Sequence, residues 1–129
     1  MSGAAAYLTE ALDRREAAAK AATPGPWRLT ENEWDGKHIT AADGETVMNV
    51  YAMGPDAPRA LENAHHIAAH DPEWTLRDVA AKRKILEQYE RARVNDRDHP
   101  DDFASKGAFL ALYGAAKSLA EAEGWTDEA

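Results

Sequence analysis

"WRLTENEWDGKHITAADGETVMNVYA", residues 27–52, decides the fold class, because the long stretches on either side of it carry helical periodicity. It divides into short β-favouring pieces separated by Asp35-Gly36 and Asp43-Gly44. In its last piece Val47, Asn49 and Tyr51 alternate with Met48, Val50 and Ala52, the two-residue period of a strand. Each Asp-Gly pair supplies the positive φ angle that a tight hairpin needs. A three-stranded antiparallel meander is therefore expected over 27–52. Three short strands cannot bury an apolar face by themselves, so helices must cover it. The fold class predicted is α+β, a small antiparallel sheet of about three strands packed on three to four helices.

Outward from the meander, residues 1–22 predict an N-terminal helix, with Tyr7, Leu8, Ala11, Leu12, Arg15, Ala18, Ala19 and Ala22 recurring at steps of three and four. "TPGPW", 23–27, stops it: Pro24 and Pro26 remove two backbone donors, and Gly25 permits a reversal. Trp27 leaves this elbow either to cap the core or to form the wall of a ligand pocket. On the other side, "GPDAP", 54–58, closes the sheet, with Asp56 expected as an N-cap and Pro58 in a first helical turn. That helix is expected to run to about Ala69. At the next joint, Asp71 is placed to cap a further helix and Pro72 to occupy its first position, so 57–93 predicts a helical hairpin. Leu76, Val79, Ala80, Ile85, Leu86, Tyr89 and Ala92 mark the buried side of its second arm. "NDRDHPDD", 95–102, is polar enough to be a solvated connection. A last helix is predicted over 101–123, with Phe103, Phe109, Leu112, Tyr113, Ala116, Leu119 and Ala120 inward, Gly124 as its stop and Trp125 folding back. All 129 residues are expected to form a single domain.

Composition narrows the chemistry. With 23 acidic against 15 basic residues the net charge is -8, which repels phosphate backbones, so nucleic acid is not the expected partner. Cysteine is absent, leaving no disulfide, thiolate metal site or thiol nucleophile. No run approaches the roughly 20 apolar residues of a membrane span, and a basic, apolar leader is lacking, so a cytoplasmic location is expected. Much of the apolar content is alanine, which predicts a thin, helix-rich core and favours further burial in a homodimer.

The densest chemistry lies in "NAHHIAAHDPEW", 63–74. His66 and His70 share a helix face, with Asp71 or Glu62 as oxygen donors, yet a zinc site needs a third ligand from His38, His99 or a distant carboxylate. Ile67, not glutamate, follows His66, so the metalloprotease pattern is missing. No metal, no cofactor and no catalytic residue are expected. The structural alternative has His66 packed at the joint and His65 and His70 in solvent. The basic helix that follows, with Arg77 and Arg83, reads either as a solvated face laced with ion pairs or as an anion site. In the second case Arg77 and the helix start would hold a phosphate or carboxylate, with Trp27 and Trp74 stacking on an attached base. The candidate ligand-binding set is Trp27, His66, His70, Asp71, Trp74, Arg77 and Arg83.

"ATPGPW" at 22–27 and "HHIAAHDPEWTLRDVAAKRKIL" at 65–86 resemble the two anchors of a family of small acidic proteins of unknown function found in actinobacteria and their phages. The resemblance covers about the first 93 residues and includes Pro24, Gly25, Pro26, Trp27, His66, Asp71, Pro72, Arg77, Lys82 and Arg83. The tail "FLALYGAAKSLAEAEGW", 109–125, departs from the proline-containing end typical of that family and should continue as helix. The resemblance implies an intracellular accessory protein, phage-borne or prophage-derived. The function expected is non-enzymatic binding of a host protein; the alternative is sequestration of a small anionic ligand such as a nucleotide.

Overall fold

The computed structural model describes residues 3–32, 36–51 and 54–127. The element order is α1 (Gly3–Ala21), β1 (Arg28–Asn32), β2 (Gly36–Thr40), β3 (Thr46–Val50), α2 (Ala57–Ala69), α3 (Pro72–Asp98) and α4 (Phe103–Ala122), with a single 3-10 turn at Gly54–Asp56 before α2. The described residues form an α+β fold with four helices and a three-stranded antiparallel sheet in the order β1-β2-β3. The chain forms two compact units, residues 15–77 and residues 1–14 with 78–129, the division falling within α1 and within α3.

The first unit, 15–77, holds the sheet. Leu29 pairs with Ile39 across β1 and β2, and Ile39 pairs with Met48 across β2 and β3. Ile39 is thus the centre of the meander and is fully buried. The register slips by one between Ile39 and Thr40, because Ile39 pairs with Met48 and Thr40 with Thr46, leaving Val47 as a bulge. The Asp43-Gly44 turn forms as expected from its residues: Gly44 has φ +85, its N–H donates to the Ala41 carbonyl, and the Asp43 carboxylate accepts from the Glu45 N–H. The Asp35-Gly36 turn lies partly outside the described residues. α2 covers the sheet by contacts with β1 and β3 and buries Ala64. Asp56 stands at the N-cap position of α2 but its side chain makes no capping hydrogen bond, contrary to the role predicted for it; its φ and ψ of -91 and 2 belong to the preceding 3-10 turn and not to the extended backbone a capping side chain needs.

In the second unit, the first 14 residues and α4 pack with the body of α3. One cluster joins Ala4, Leu8, Leu12, Val79 and Ala120, closed by Tyr7, Leu86, Leu119 and Trp125. The other joins Ala5, Tyr89 and Ala116 beneath Phe109, Leu112 and Tyr113, and the Tyr89 and Phe109 rings stack 5.9 Å apart. Alanine at the contacts of these helices lets their backbones approach closely but buries little area per residue. The largest fully buried side chains described in this unit are accordingly few: Tyr89, Leu8 and Leu12. Ala80, predicted to be inward, is exposed, and the half-buried position two residues on is taken by Lys82, whose Nζ lies 3.0 Å from Asp78 and 3.3 Å from Glu123. α4 ends where its sequence says it should: Gly124 adopts φ +104, the Trp125 N–H returns to the Ala120 carbonyl, and the Tyr7 hydroxyl donates to the Glu123 carbonyl at 3.0 Å.

α3 runs to Asp98, five residues beyond the end near Arg93 that polarity suggested. Polar residues of this last turn and a half meet partners at the start of α4, although Asp96 Oδ1 has an ion pair and no hydrogen bond. Asn95 donates to the Ser105 hydroxyl at 2.7 Å, Ser105 donates to Asp102 at 2.9 Å, and Asp96 faces Lys106 at 3.6 Å. Asp102 caps α4 by accepting from the Ala104 N–H. The Ser105 hydroxyl, then the Ala104 amide, hold the Asp102 carboxyl below its ordinary range. A carboxyl depressed in the folded state contributes stability that is complete above the ordinary carboxylate range and lost as pH falls through the depressed value. Ser105→Ala is therefore expected to make stability less steeply dependent on pH below that range, a change read from urea denaturation at a series of acidic pH values.

Candidate functional site

The two stretches of densest sequence signal meet within unit 15–77. Asp71, between α2 and α3, is buried with 5% of its surface exposed. One carboxylate oxygen accepts the Trp74 N–H at 2.8 Å, the hydrogen bond of a helix N-cap. The other accepts the backbone N–H of Trp27 at 2.7 Å, across 44 residues of sequence. Its carbonyl takes the Thr75 N–H, the first bond of α3. One aspartate therefore starts a helix and grips the elbow that follows α1.

The elbow fits against it without spare room. A Cβ added at Gly25 would stand 2.7 Å from Asp71 Oδ2 and 3.0 Å from the Glu73 Cβ, so only glycine can sit there with its neighbours in place. The Gly25-Pro26 peptide is cis. Pro26 has no N–H to leave unsatisfied, and the next one, that of Trp27, is the one Asp71 accepts. The Trp27 indole N–H donates to the Thr23 carbonyl at 2.8 Å, fixing the ring over the elbow.

The histidines occupy the outer side of the joint. His70 is the C-cap of α2; its N–H reaches the His66 and Ile67 carbonyls, and its Nδ1 lies 2.8 Å from the His66 carbonyl. A carbonyl only accepts, so Nδ1 carries the proton and Nε2 is the ring nitrogen left over. The His66 and His70 rings lie 4.3 Å apart and the His70 and Trp74 rings 4.6 Å, a ladder of three rings across the joint. His66 is exposed, not packed into the joint as expected, because Ala64, one of its neighbours on α2, takes the buried position. No three His, Asp or Glu side chains converge among the described residues. His38 is paired instead with Asn49 across the sheet at 2.7 Å, and His99 Nδ1 lies near the Asn95 carbonyl in the other unit.

Of the seven candidate residues, Trp27 and His70 line one open depression of about 320 Å³, together with Arg15, Ala18, Ala22, Pro72 and Thr75. Asp71, the clasp, is not among the residues that line it. Arg77 is exposed and bonded to Glu73 at 2.8 Å, one turn back along its own helix. Arg83 belongs to the other unit, where it meets Asp13 at 2.8 Å. The start of α3 is occupied by its own carboxylate, which disfavours a second anion there. Arg15 and Thr75 were absent from the candidate set. Arg15 had left a signal, a charged residue standing in the apolar stripe of α1; Thr75 had entered only as part of the helix start at 72–75.

No helix among the described residues is long and apolar enough to cross a membrane. No curated protein and no solved structure matches the chain. A family model does match, and it spans residues 1–127, the final helix included. The chain belongs to DUF6221, a family of unknown function.

Proposed function

We propose that this protein acts by binding and not by catalysis, as a small phage- or prophage-type accessory protein that engages a host protein through its helical surface. One observation carries this reading: the buried or half-buried polar groups where the two motifs meet, the Asp71 carboxylate and the two N–H groups of Trp27, are spent on holding the fold, while His66 and His70 stay exposed. Both Asp71 oxygens accept backbone N–H groups, Trp27 is tied by its indole and its amide, and Arg77 and Arg83 face Glu73 and Asp13. A catalytic acid or base needs a group within reach of substrate, and a buried carboxylate with two internal donors is badly placed to be one.

A second reading, sequestration of a small anionic ligand, is favoured by the depression that Trp27 and His70 share with Arg15. The two separate in one set of measurements. Thermal melts of the full chain against a nucleotide panel and inorganic phosphate are expected to show no shift at ligand excess, whereas a protein captured from actinobacterial lysate is expected to bind again, after purification, in a titration. A concentration-dependent rise in melting temperature with one nucleotide, lost in Trp27→Ala, would replace the first reading by the second.

A further inference from the structure

α4 carries a face that no described residue of its own unit covers. Phe103 is 92% exposed and Leu110 58%, the two largest exposed aliphatic or aromatic groups of this helix, although Phe103 was predicted to point inward. Its position at the very start of the helix, one third of a turn from the buried stripe of Ser105, Ala116 and Ala120, turns it outward. Phe103, Gly107, Leu110 and Gly114 follow one another at steps of four, three and four, so they form a single stripe opposite the buried side. A Cβ at Gly107 or at Gly114 would meet nothing within 4 Å. Glycine inside a helix weakens it, and among the described residues of their unit these two glycines make room for nothing.

The order of sizes is large, small, large, small, and it is self-complementary on reversal. In an antiparallel pair of α4 helices, one register sets Phe103 opposite Gly114 and Leu110 opposite Gly107, because both pairs share a midpoint between residues 108 and 109. Each bulky side chain then enters the hole left by a glycine of the other copy, and two-fold symmetry repeats the contact. A parallel pair would stack Phe103 on Phe103 and leave glycine facing glycine. Charge agrees with this choice. In a chain of net charge -8, α4 has only Lys106, Lys117 and Glu121 as charged residues, so two copies meet where their mutual repulsion is least. The antiparallel register also brings Lys117 beside Asp101 of the second copy and opposes the two helix dipoles.

We infer that the Phe103-Gly107-Leu110-Gly114 face of α4 is the contact of a two-fold homodimer in which α4 pairs antiparallel with α4 of a second copy. It does not depend on the host-protein reading. One helix face buries less than the roughly 800 Å² per partner of a standard interface, so the dimer is reversible and its mass depends on concentration.

Sedimentation velocity of the full chain from low micromolar to near-millimolar concentration tests this. The wild type is expected to pass from monomer to dimer, and Leu110→Glu and the double variant Gly107→Leu/Gly114→Leu to weaken the dimer at least tenfold with unchanged far-ultraviolet circular dichroism. Because the chain has no cysteine, Phe103→Cys chains mixed with Gly114→Cys chains should form a disulfide-linked pair that neither forms alone. A wild type that stays monomeric throughout, a dimer that survives Leu110→Glu, or cross-linking of Phe103→Cys chains to themselves would overturn the inference. Monomers that bind a captured host protein through Leu110 would assign the face to that protein instead.

Discussion

Asp71→Ala is expected to lower the unfolding free energy by about 3 kcal/mol, measured by urea denaturation. The substitution removes an N-cap, which is typically about 1 kcal/mol, and a second hydrogen bond to a charged group, which is about 1.5–3 kcal/mol. The two N–H groups it abandons, of Trp27 and Trp74, sit beside a residue only 5% exposed, so water replaces the carboxylate poorly. Asp71→Asn separates the two roles. Its amide oxygen can serve one donor, but its NH2 then faces the other, so a loss of about 2 kcal/mol is expected, less than for alanine. A catalytic aspartate at the surface of a pocket would behave differently: replacing it would cost activity and little stability.

Gly25→Ala is expected to cost about 2 kcal/mol by the same measurement, although it adds a single methyl group. At most exposed turns such a change is neutral or stabilising, since it reduces the entropy of the unfolded chain. Here the new Cβ would lie 2.7 Å from a carboxylate oxygen held by two hydrogen bonds and 3.0 Å from the Cβ of Glu73. Neither neighbour is the loose end of a flexible side chain, so the elbow must move away from the joint, in the range of overpacking costs of about 1–3 kcal/mol.

Much of the fold could be read from local chemistry. The Asp43-Gly44 pair specified its turn and the Asp71-Pro72 pair specified a helix start, because in each case the deciding interaction is made within a few residues; the strand around Ile39 was legible because its partners, Leu29 and Met48, lie one short hairpin away on either side. The failures were at places where a distant partner decides. α3 continues past Arg93 because Asn95 and Asp96 find Ser105 and Lys106 on the next helix. Phe103 faces outward because α4 turns the side bearing Ala116 and Ala120 to the core. The candidate site shows the same division. The spacing of His66 and His70 predicted a shared helix face, and their rings do lie together; that Trp74, on the next helix, joins them was not legible in the spacing. Asp71 was placed correctly as a cap, but its second bond, to Trp27, left no mark in either motif taken alone. Arg77 and Arg83 left an ion-pair face and an anion site both open because single-sequence spacing does not say which acid each one meets; Glu73 was in view, Asp13 was not.

The central claim is that the Thr-Pro-Gly-Pro-Trp elbow and the His-Asp-Pro joint are two halves of one structural clasp. A double-mutant cycle between Gly25→Ala and Asp71→Ala tests it most directly, read as unfolding free energy in urea. If the carboxylate of Asp71 is what Gly25 must clear, then the cost of Gly25→Ala should fall from about 2 kcal/mol in the wild type to about 1 kcal/mol or less once Asp71 is alanine, a coupling within the range found for residues in contact. Costs that add to within about 0.5 kcal/mol, as they do for independent sites, would contradict the clasp.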